Sequence, residues 1–361
     1  MVRAYQPGDD RKIVELLDLV FGGWPKFDFG FSPLEHWKWK YQDNPLKLSQ
    51  IAVGESDNRI ISCEHSFPLR IKIGDKVCLA HHSGDLAVHP DFRRMAASEK
   101  MRELLVQMRE KAGSSLVYFV TFNPILIESL SKFYRRFPYK VITFIRIHDI
   151  GLHLRKMPIE YASMKKYYFQ LVKLMDRFRG TSQHYTPSSY NFQIREIAAF
   201  DNSINVFWEE IKNHYDFIIE RSRDFLNWRY FDARGGDYLV KIAEKDSKIL
   251  GYVVLRINKH QKDYPLGYVV DLLTLPNRLD VAHALVADAV DYFANNNINV
   301  IYCLVIKHHP YQTALERNGF VTRREEAPFF YKESAKVEEP RKFKIDSPGR
   351  IHFAYGNFDA I

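Results

Sequence analysis

One short stretch of the sequence has the residue types and spacing expected of an anion-binding turn. Residues 85–98 read as the end of a strand, a turn that carries Arg93 and Arg94, and the start of an amphipathic helix. The first backbone N–H groups of a helix lack partners and its dipole is positive there, so such a turn suits a pyrophosphate. An exposed basic turn before an ordinary helix is the alternative interpretation.

Composition and charge limit the class of protein. The chain has 361 residues, 46% of them hydrophobic and 27% charged, which favours two globular domains and excludes disordered or fibrous classes. The three cysteines are too scattered for disulfides or a zinc site, and no metal site is expected. No apolar run is long enough to span a bilayer and the N-terminus is too polar for a signal peptide, so we expect a cytoplasmic protein.

The positive charge of the chain is concentrated in its first half. The net charge is +8, and residues 1–180 hold 29 Lys and Arg against 20 Asp and Glu, so that half accounts for all of the excess. This asymmetry predicts an anionic ligand there, either a polyphosphate cofactor or a nucleic acid.

Several landmarks recur in the same order at offsets that shrink from 192 to 181 residues. Trp39-Lys40-Tyr41 matches a second Trp-basic-Tyr element at 228–230, and Asp85 matches Asp271. A constant order with a drifting offset indicates a duplicated unit with deletions in the second copy. We therefore divide the chain into residues 1–155, a helix and linker over 156–189, and residues 190–361.

Each copy is predicted to be a mixed α/β unit. In the first copy the hydrophobic pattern predicts helices over 9–20, 97–112 and 124–136 and strands over 50–54, 59–69, 77–88 and 116–122. In the second it predicts helices over 202–213, 281–295 and 310–318 and strands over 238–243, 249–257, 267–274 and 298–305. A basic helix is expected over 161–179 and a linker over 180–189.

The first copy resembles the GNAT (general N-acetyltransferase) superfamily. That family has a strand ending in Val-x-Pro, an Arg or Gln, two spaced small residues and a helix, which Val88, Pro90 and Arg93 match. Ala96 and Ser98 stand at the small positions, where the family has Gly at the first and Gly or Ala at the second. A second pattern of the family is an Asn after a strand, a short helix and then Tyr-x-x-Leu-Gly-Phe. Asn123 matches its Asn, Tyr134 its Tyr, and the Pro138-Tyr139 pair its Gly-Phe. The resemblance implies two tandem acetyltransferase-like domains, of which the second is degenerate.

The resemblance also implies a cofactor and roles for individual residues. It places acetyl-CoA, as co-substrate, in the first copy, and makes Tyr134 the general acid for the departing thiolate. Backbone N–H groups near the end of the strand would bind the acetyl carbonyl. The residues expected to bind acetyl-CoA are Leu86, Ala87, Val88, Arg93, Arg94, Met95, Ala96, Ala97, Ser98 and Asn123.

The general base is chosen among several groups on the middle strands. Glu64 shares one strand face with Ser62 and Ser66, which suits a polar cleft, and is the residue we select. Glu35, His81, His82 and Asp85 are the other groups considered. The Trp-basic-Tyr elements are interpreted as core residues. For one of these residues, a role in lining the substrate cleft is the alternative.

The leading hypothesis is an acetyl-CoA-dependent N-acetyltransferase acting on a primary amine of a small molecule or peptide. The second copy lacks the machinery, since its turn carries one arginine, Arg278, and Asp280, and Leu315 stands where Tyr134 stood. One alternative is an aminoacyl-tRNA-dependent peptidyltransferase, although nucleic acid is not the expected partner. The other is a protein that binds CoA or another ligand without catalysis. The acceptor and the oligomeric state are not encoded in these patterns.

Overall fold

A computed structural model describes residues 1–28, 30–93, 97–156, 190–334 and 347–357 of the chain, without the side chains of Ala97, Ser98 and Arg324. The fold is mixed α/β, as predicted. The helix predicted over 161–179 and the linker over 180–189 lie outside the described residues. Among the helices of the described part, none combines the length and the apolar character that a bilayer crossing requires.

The first copy alternates helices and strands much as its pattern predicts. Its helices are α1 (Asp10–Phe21), α2 (Pro33–Tyr41), α3 (Ala97–Lys111), α4 (Pro124–Leu130) and α5 (Ile150–Lys156). Its strands are β1 (Val2–Ala4), β2 (Gln50–Ser56), β3 (Arg59–Ile73), β4 (Lys76–Val88), β5 (Leu116–Val120), β6 (Arg135–Arg136) and β7 (Val141–Ile147).

The second copy repeats this order. Its helices are α6 (Ser203–Ile211), α7 (Arg223–Phe231), α8 (Leu279–Asn295) and α9 (Tyr311–Arg317). Its strands are β8 (Gln193–Ile197), β9 (Phe217–Ile219), β10 (Leu239–Lys245), β11 (Lys248–Asn258), β12 (Leu266–Thr274), β13 (Val300–Ile306), β14 (Val321–Ala327) and β15 (Phe329–Glu333).

Helices α2 and α4 of the first copy differ from the sequence-based prediction. Helix α4 ends at Leu130 rather than at residue 136, and the chain continues through turns to the short strand β6. Helix α2 was not predicted as a helix. It starts in a capping box, in which Ser32 and Glu35 satisfy each other's backbone N–H groups, with Pro33 in the first turn.

The two sheets exchange their final strands. The first sheet has the order β1-β2-β3-β4-β5-β15-β6, with β9 added beside β3, and the second has the order β14-β7-β13-β12-β11-β10-β8. Strand β7 of the first copy pairs with β13, from Ile147 opposite Val300 to Val141 opposite Ile306. Strand β15 of the second copy pairs with β5 in return. Each sheet is therefore completed by the other half of the chain.

The largest apolar cluster joins the two halves. It contains most of the buried residues of the second copy, Phe217 among them, together with Tyr118 and Phe137 of the first. The rings of these three residues pack on Phe329 of the exchanged strand. A separate cluster lies under α1 and α2 and is centred on Trp37, which is fully buried. The two copies thus share one core, and α1 and α2 cover the outer part of the first sheet.

Candidate active site

Strands β4 and β5 separate in the middle of the first sheet. They are parallel and pair through Ala80 with Leu116, His81 with Val117, and His82 with Tyr118. Beyond His82, residues 83–88 have no partner on the β5 side among the described strands. This V-shaped opening leaves one backbone edge of β4, including the predicted carbonyl-binding residues Leu86, Ala87 and Val88, available to a ligand.

A bulge of β4 lies at the opening. Asp85 has a positive φ of 45° and interrupts the pairing of β3 with β4. Its buried carboxylate accepts hydrogen bonds from Trp24 Nε1 (2.9 Å), Lys40 Nζ (2.5 Å) and Tyr41 Oη (2.5 Å). The Lys40 ammonium holds the pKa of this carboxyl well below its usual range, despite burial. Asp85 therefore holds α2 against the bulge of β4. A proton from an amine would have to compete with these three donors, so Asp85 is poorly placed to act as a general base.

The turn after β4 is described only as far as Arg93, whose side chain is exposed. His89 accepts a hydrogen bond from the backbone N–H of Asp91, and a short 3₁₀ turn follows over Pro90–Phe92. Helix α3 begins at Ala97, as the anion-site prediction requires. Arg94, Met95 and Ala96 lie outside the described residues, as do the side chains of Ala97 and Ser98, so their contact with a pyrophosphate stays a prediction.

Asn123 follows β5 and caps helix α4. Its Oδ1 accepts hydrogen bonds from the backbone N–H groups of Ile125 (3.0 Å) and Leu126 (3.4 Å). This contact gives the residue a structural role at the start of α4. Its predicted role in binding the cofactor stays a prediction.

Tyr134 lies in the turns after α4, and its ring is buried. It packs edge-on against Phe119 with 4.7 Å between ring centroids, and Val117 and Phe330 belong to the same apolar cluster. Phe330 comes from the exchanged strand β15. Burial raises the pKa of the Tyr134 phenol, and no hydrogen-bond partner of its hydroxyl is found in the described part of the chain. The hydroxyl is therefore protonated and available as a donor at neutral pH.

Glu64 lies on the same face of the sheet as α3. Ser83 Oγ donates a hydrogen bond to Glu64 Oε1 (3.1 Å), and the neighbouring Ser66 Oγ accepts one from Arg109 of α3 (3.4 Å). Burial raises the pKa of the Glu64 carboxyl, and the positive charges of Arg109 and Arg102 oppose this rise. The prediction that Glu64 shares one strand face with Ser62 and Ser66 is confirmed, because both serines contact α3.

Arg109 connects the two predicted residues and was missed by the sequence analysis. Its side chain is buried, and no carboxylate oxygen lies within 4 Å of it among the described residues. Its positive charge lowers the pKa of Tyr134, whereas the charge of Glu64 raises it, so all three groups lie within electrostatic range. The sequence contains one indication of this residue, a basic side chain within the amphipathic pattern of α3. Exposed arginines of a helix give the same pattern, so it does not distinguish a buried arginine.

The other groups considered as bases have structural contacts. Glu35 belongs to the capping box of α2, and His81 Nδ1 bonds Ser114 Oγ (2.9 Å). His82 packs on Tyr118 at 5.2 Å on the opposite face of β4. Burial lowers the pKa of each of these histidines to about 3, so both are neutral at pH 7.

The second copy has an equivalent V, but its own chain fills it. Strands β12 and β13 pair only from Leu266 to Val269, and residues 351–354 line the remaining space with β13. His352 Nε2 donates to the backbone oxygen of Leu272 (3.0 Å). In the turn before α8, Arg278 forms an ion pair with Asp280 (2.7 Å), so its charge is already neutralised.

Known proteins resemble the chain in sequence and in fold. A family model described as "Acetyltransferase (GNAT) domain" matches residues 1–142, and one described as "Acetyltransferase (GNAT) family" matches residues 197–320. No curated protein matches significantly.

Two solved structures of low sequence identity share the fold. A probable N-acyltransferase of Enterococcus faecalis is 11% identical with a TM-score of 0.63, over 92% of this chain and 72% of that chain. N-myristoyltransferase of Saccharomyces cerevisiae, solved with bound myristoyl-CoA, is 11% identical with a TM-score of 0.61, over 98% and 86%. Two family matches in one chain, together with this fold, show that the protein belongs to the GNAT superfamily and carries two of its domains in tandem.

Proposed function

We propose that the protein is an N-acetyltransferase that moves an acetyl group from acetyl-CoA to a primary amine of a small molecule or a peptide, within its first copy. The observation that carries this proposal is the difference between the two V-shaped openings. The opening begins at Ser83 of β4, which donates to Glu64, and at Phe119 of β5, which packs on Tyr134, whereas residues 351–354 line the equivalent opening of the second copy. The first opening is therefore the one to which we assign the reaction.

Each step of the reaction has a group of this chain to support it. The amine nitrogen attacks the thioester carbonyl carbon, and the carbon–sulfur bond breaks. The unpaired edge of β4 near Leu86, Ala87 and Val88 supplies N–H groups for the carbonyl oxygen, where negative charge develops. Tyr134 donates a proton to the leaving sulfur, and Glu64 accepts the amine proton directly or through water. The raised pKa of Glu64 makes it a stronger base than an exposed carboxylate.

The phosphates of the coenzyme are assigned to the start of α3. Arg93 and Arg94 supply charge, and the backbone of Ala96 and Ser98 approaches the pyrophosphate. Alanine and serine are the smallest replacements for glycine, so we expect them to weaken pyrophosphate binding without abolishing it. We expect Ala96→Gly to leave affinity unchanged or to improve it, because it removes a Cβ from the approach.

The acyl chain is the least constrained part of the donor. A groove of about 260 Å³ lies beside the C-terminal end of α3, lined by Val106, Arg109, Leu116 and Val117 among others. Val117 belongs to the same apolar cluster as Tyr134, and Arg109 lies within electrostatic range of the Tyr134 hydroxyl, so a longer acyl chain directed away from the phosphates would reach this groove. The donor test therefore includes chain lengths beyond acetyl.

Isothermal titration of the full chain with acetyl-, octanoyl- and myristoyl-CoA tests the proposal. We expect acetyl-CoA to bind, and Arg93→Ala to weaken its binding several-fold and flatten its salt dependence, because a charge near phosphate is lost. Binding of only a longer acyl-CoA would overturn acetyl-CoA as the donor. Arg278→Ala is the matched control, since Arg278 is paired with Asp280 in the second copy, and should leave the affinity unchanged.

Release of free CoA thiol with a panel of amines then measures transfer. Turnover that needs both an acyl-CoA and an amine supports the enzyme. If no acyl-CoA binds, the proposal is wrong. If an acyl-CoA binds tightly but no amine in the panel accelerates thiol release above hydrolysis, the protein is a binding module and not the transferase proposed.

A further inference from the structure

A small cavity lies between the two copies, on the face of the first sheet opposite Glu64. Its volume is about 30 Å³, and its polar lining consists of Lys40, His82, Trp228, Arg229 and Asn357. A buried water needs about 10–15 Å³ by this measure, so the cavity has room for a group of two or three heavy atoms. It therefore suits one small functional group rather than a whole ligand.

Two hydrogen-bond donors of the lining lack acceptors. Trp228 Nε1 and Asn357 Nδ2 are buried, and neither has a hydrogen-bond partner within the described ranges. Asn357 is 4% exposed, and its Oδ1 accepts from the backbone N–H of Ala354 (2.7 Å), which leaves its NH₂ group to the cavity. Buried polar groups in proteins are nearly always bonded, so these donors indicate a missing acceptor.

The position of the Trp228 donor is fixed by its neighbours. The indole stacks on the rings of Trp39 and Phe67, with 4.6 Å and 5.6 Å between ring centroids. A ring stacked on two others cannot turn its N–H towards another partner without losing these contacts. The donor is therefore held in place before any ligand arrives.

Arg229 adds a buried positive charge. Its side chain donates to Tyr238 Oη (2.9 Å) and to the backbone oxygen of Gly356 (3.4 Å), which uses two of its five N–H groups. No carboxylate oxygen lies within 4 Å of this guanidinium among the residues that the structure describes. A buried charge without a counter-charge is costly, so the site is built for an anion.

The charge of the other groups around the cavity is balanced. Lys40 is paired with Asp85 at 2.5 Å, and burial lowers the pKa of His82 to about 3, so His82 is neutral at pH 7. Among the residues that line the cavity one positive charge remains, that of Arg229; Arg256, which donates to the same Tyr238 hydroxyl (3.2 Å), lies outside the lining. A carboxylate, with one negative charge, two acceptor oxygens and three heavy atoms, matches this charge and volume.

The cavity adjoins the apex of the opening between β4 and β5. His82 lines the cavity and also forms the last pair of these strands, opposite Tyr118. We infer that the cavity binds a carboxylate of the acyl acceptor, and that the acceptor is therefore an amine that also carries a carboxylate. This inference rests on the proposed function, since it places the acceptor's charged end below the apex and its amine within the opening.

The first experiment compares acetate with acetamide, at constant ionic strength and pH 7, as stabilisers of the full chain in thermal melts. We expect the apparent affinity for acetate to be at least tenfold that for acetamide. Arg229→Gln should abolish this preference and Trp228→Phe, which removes only the N–H, should reduce it. Arg223→Gln, an exposed arginine of the same helix paired with Asp224, is the matched control and should keep it.

The second experiment compares amino acids with their amides as acceptors in the thiol-release assay. We expect kcat/KM to be at least tenfold higher for the carboxylate member of an accepted pair in the wild type. The two members should be equal in Arg229→Gln, and the difference between them should be smaller than in the wild type in Trp228→Phe. Equal response to acetate and acetamide, or selectivity that survives in Arg229→Gln, would overturn the inference.

The two proposals fail in different ways. Binding of an acyl-CoA without selectivity for carboxylates overturns the inference about the acceptor and leaves the proposed function intact. Carboxylate selectivity without any acyl-CoA binding overturns both the proposed function and the assignment of the carboxylate to an acyl acceptor, because the cavity is then an anion site of another kind.

Discussion

Trp39 and Trp228 occupy equivalent positions in the two copies, 189 residues apart, and stack on each other with 4.6 Å between ring centroids. Trp39 Nε1 also donates to the backbone oxygen of Trp228 (3.2 Å). Contact between equivalent residues is the arrangement expected near an approximate twofold axis. The two domains therefore meet at corresponding surfaces, and the residues that follow these tryptophans, Lys40 and Arg229, face one shared cavity.

Tyr134→Phe should lower turnover and leave stability unchanged. The substitution keeps the ring against Phe119 but removes the proton donor, and general acid catalysis is worth about 10²- to 10⁴-fold. Tyr134→Ala should cost about 3–5 kcal/mol of unfolding free energy, because it leaves a cavity. Tyr139→Phe is the control for the rate. Full turnover in Tyr134→Phe, measured by thiol release, would remove the hydroxyl from the mechanism.

One chain should bind one acyl-CoA. The second opening contains residues 351–354, and His352 is held there by its hydrogen bond to Leu272. Filling of this space by the chain itself leaves no room for a pantetheine arm. Calorimetric stoichiometry of the full chain measures the number of sites, and a value near two would contradict this prediction.

Stability should fall as the pH drops from 6.5 towards 4, and His65 should contribute to this fall. Trp37 Nε1 donates to His65 Nε2 (3.0 Å), and burial lowers the pKa of His65 to about 4. Between about pH 6.5 and 4 the unfolded chain takes up a proton at this residue and the folded chain does not, so acid favours unfolding.

The variant His65→Gln isolates this contribution. As the pH falls below 6.5, its unfolding free energy should decline less steeply than that of the wild type. The two slopes should differ by about 1.4 kcal/mol per pH unit. Urea titrations at pH 7, 6 and 5 measure the slopes, and His260→Gln, at an exposed histidine, should keep the wild-type slope. Identical slopes in His65→Gln and wild type would show that His65 does not titrate differently in the two states.

Gly356→Ala should destabilise the protein by about 1–3 kcal/mol, because the added Cβ would lie 2.1 Å from Tyr230 Oη. That hydroxyl cannot simply move away, since it donates to buried Asp271 (3.1 Å). Gly30→Ala is the matched control, because apart from its chain neighbours no atom of the described residues lies within 4 Å of the added Cβ, and it should change stability by less than about 0.5 kcal/mol. Equal melting temperatures of the two variants would contradict the crowding argument.

The repeat and most elements could be predicted from local pattern. The helix expected over 97–112 is observed as Ala97–Lys111, and the strand expected over 77–88 as Lys76–Val88. The matched landmarks also make the same contact, since Tyr41 donates to Asp85 and Tyr230 donates to Asp271. Periodicity records which residues are buried within an element, and equivalent sequence landmarks record equivalent positions.

Partner choice at long range could not be predicted. Strand β7 reads as an apolar run that suits either sheet, and nothing in its sequence specifies β13 as its neighbour. The same holds for residues 351–354 in the second opening and for Arg109 between Glu64 and Tyr134. These contacts depend on the relative position of elements far apart in the chain, on which hydrophobic pattern carries no information.

The exchange of β7 and β15 makes the order of synthesis matter. Strand β5 pairs with a strand that is synthesised about two hundred residues later, so the first copy leaves the ribosome with an open sheet edge beside the proposed reaction site. Such distant pairing slows folding and exposes the edge to association with other chains. It also gives the second copy a structural role in the first: deletion of the second half would remove Phe330, which packs in the apolar cluster of Tyr134.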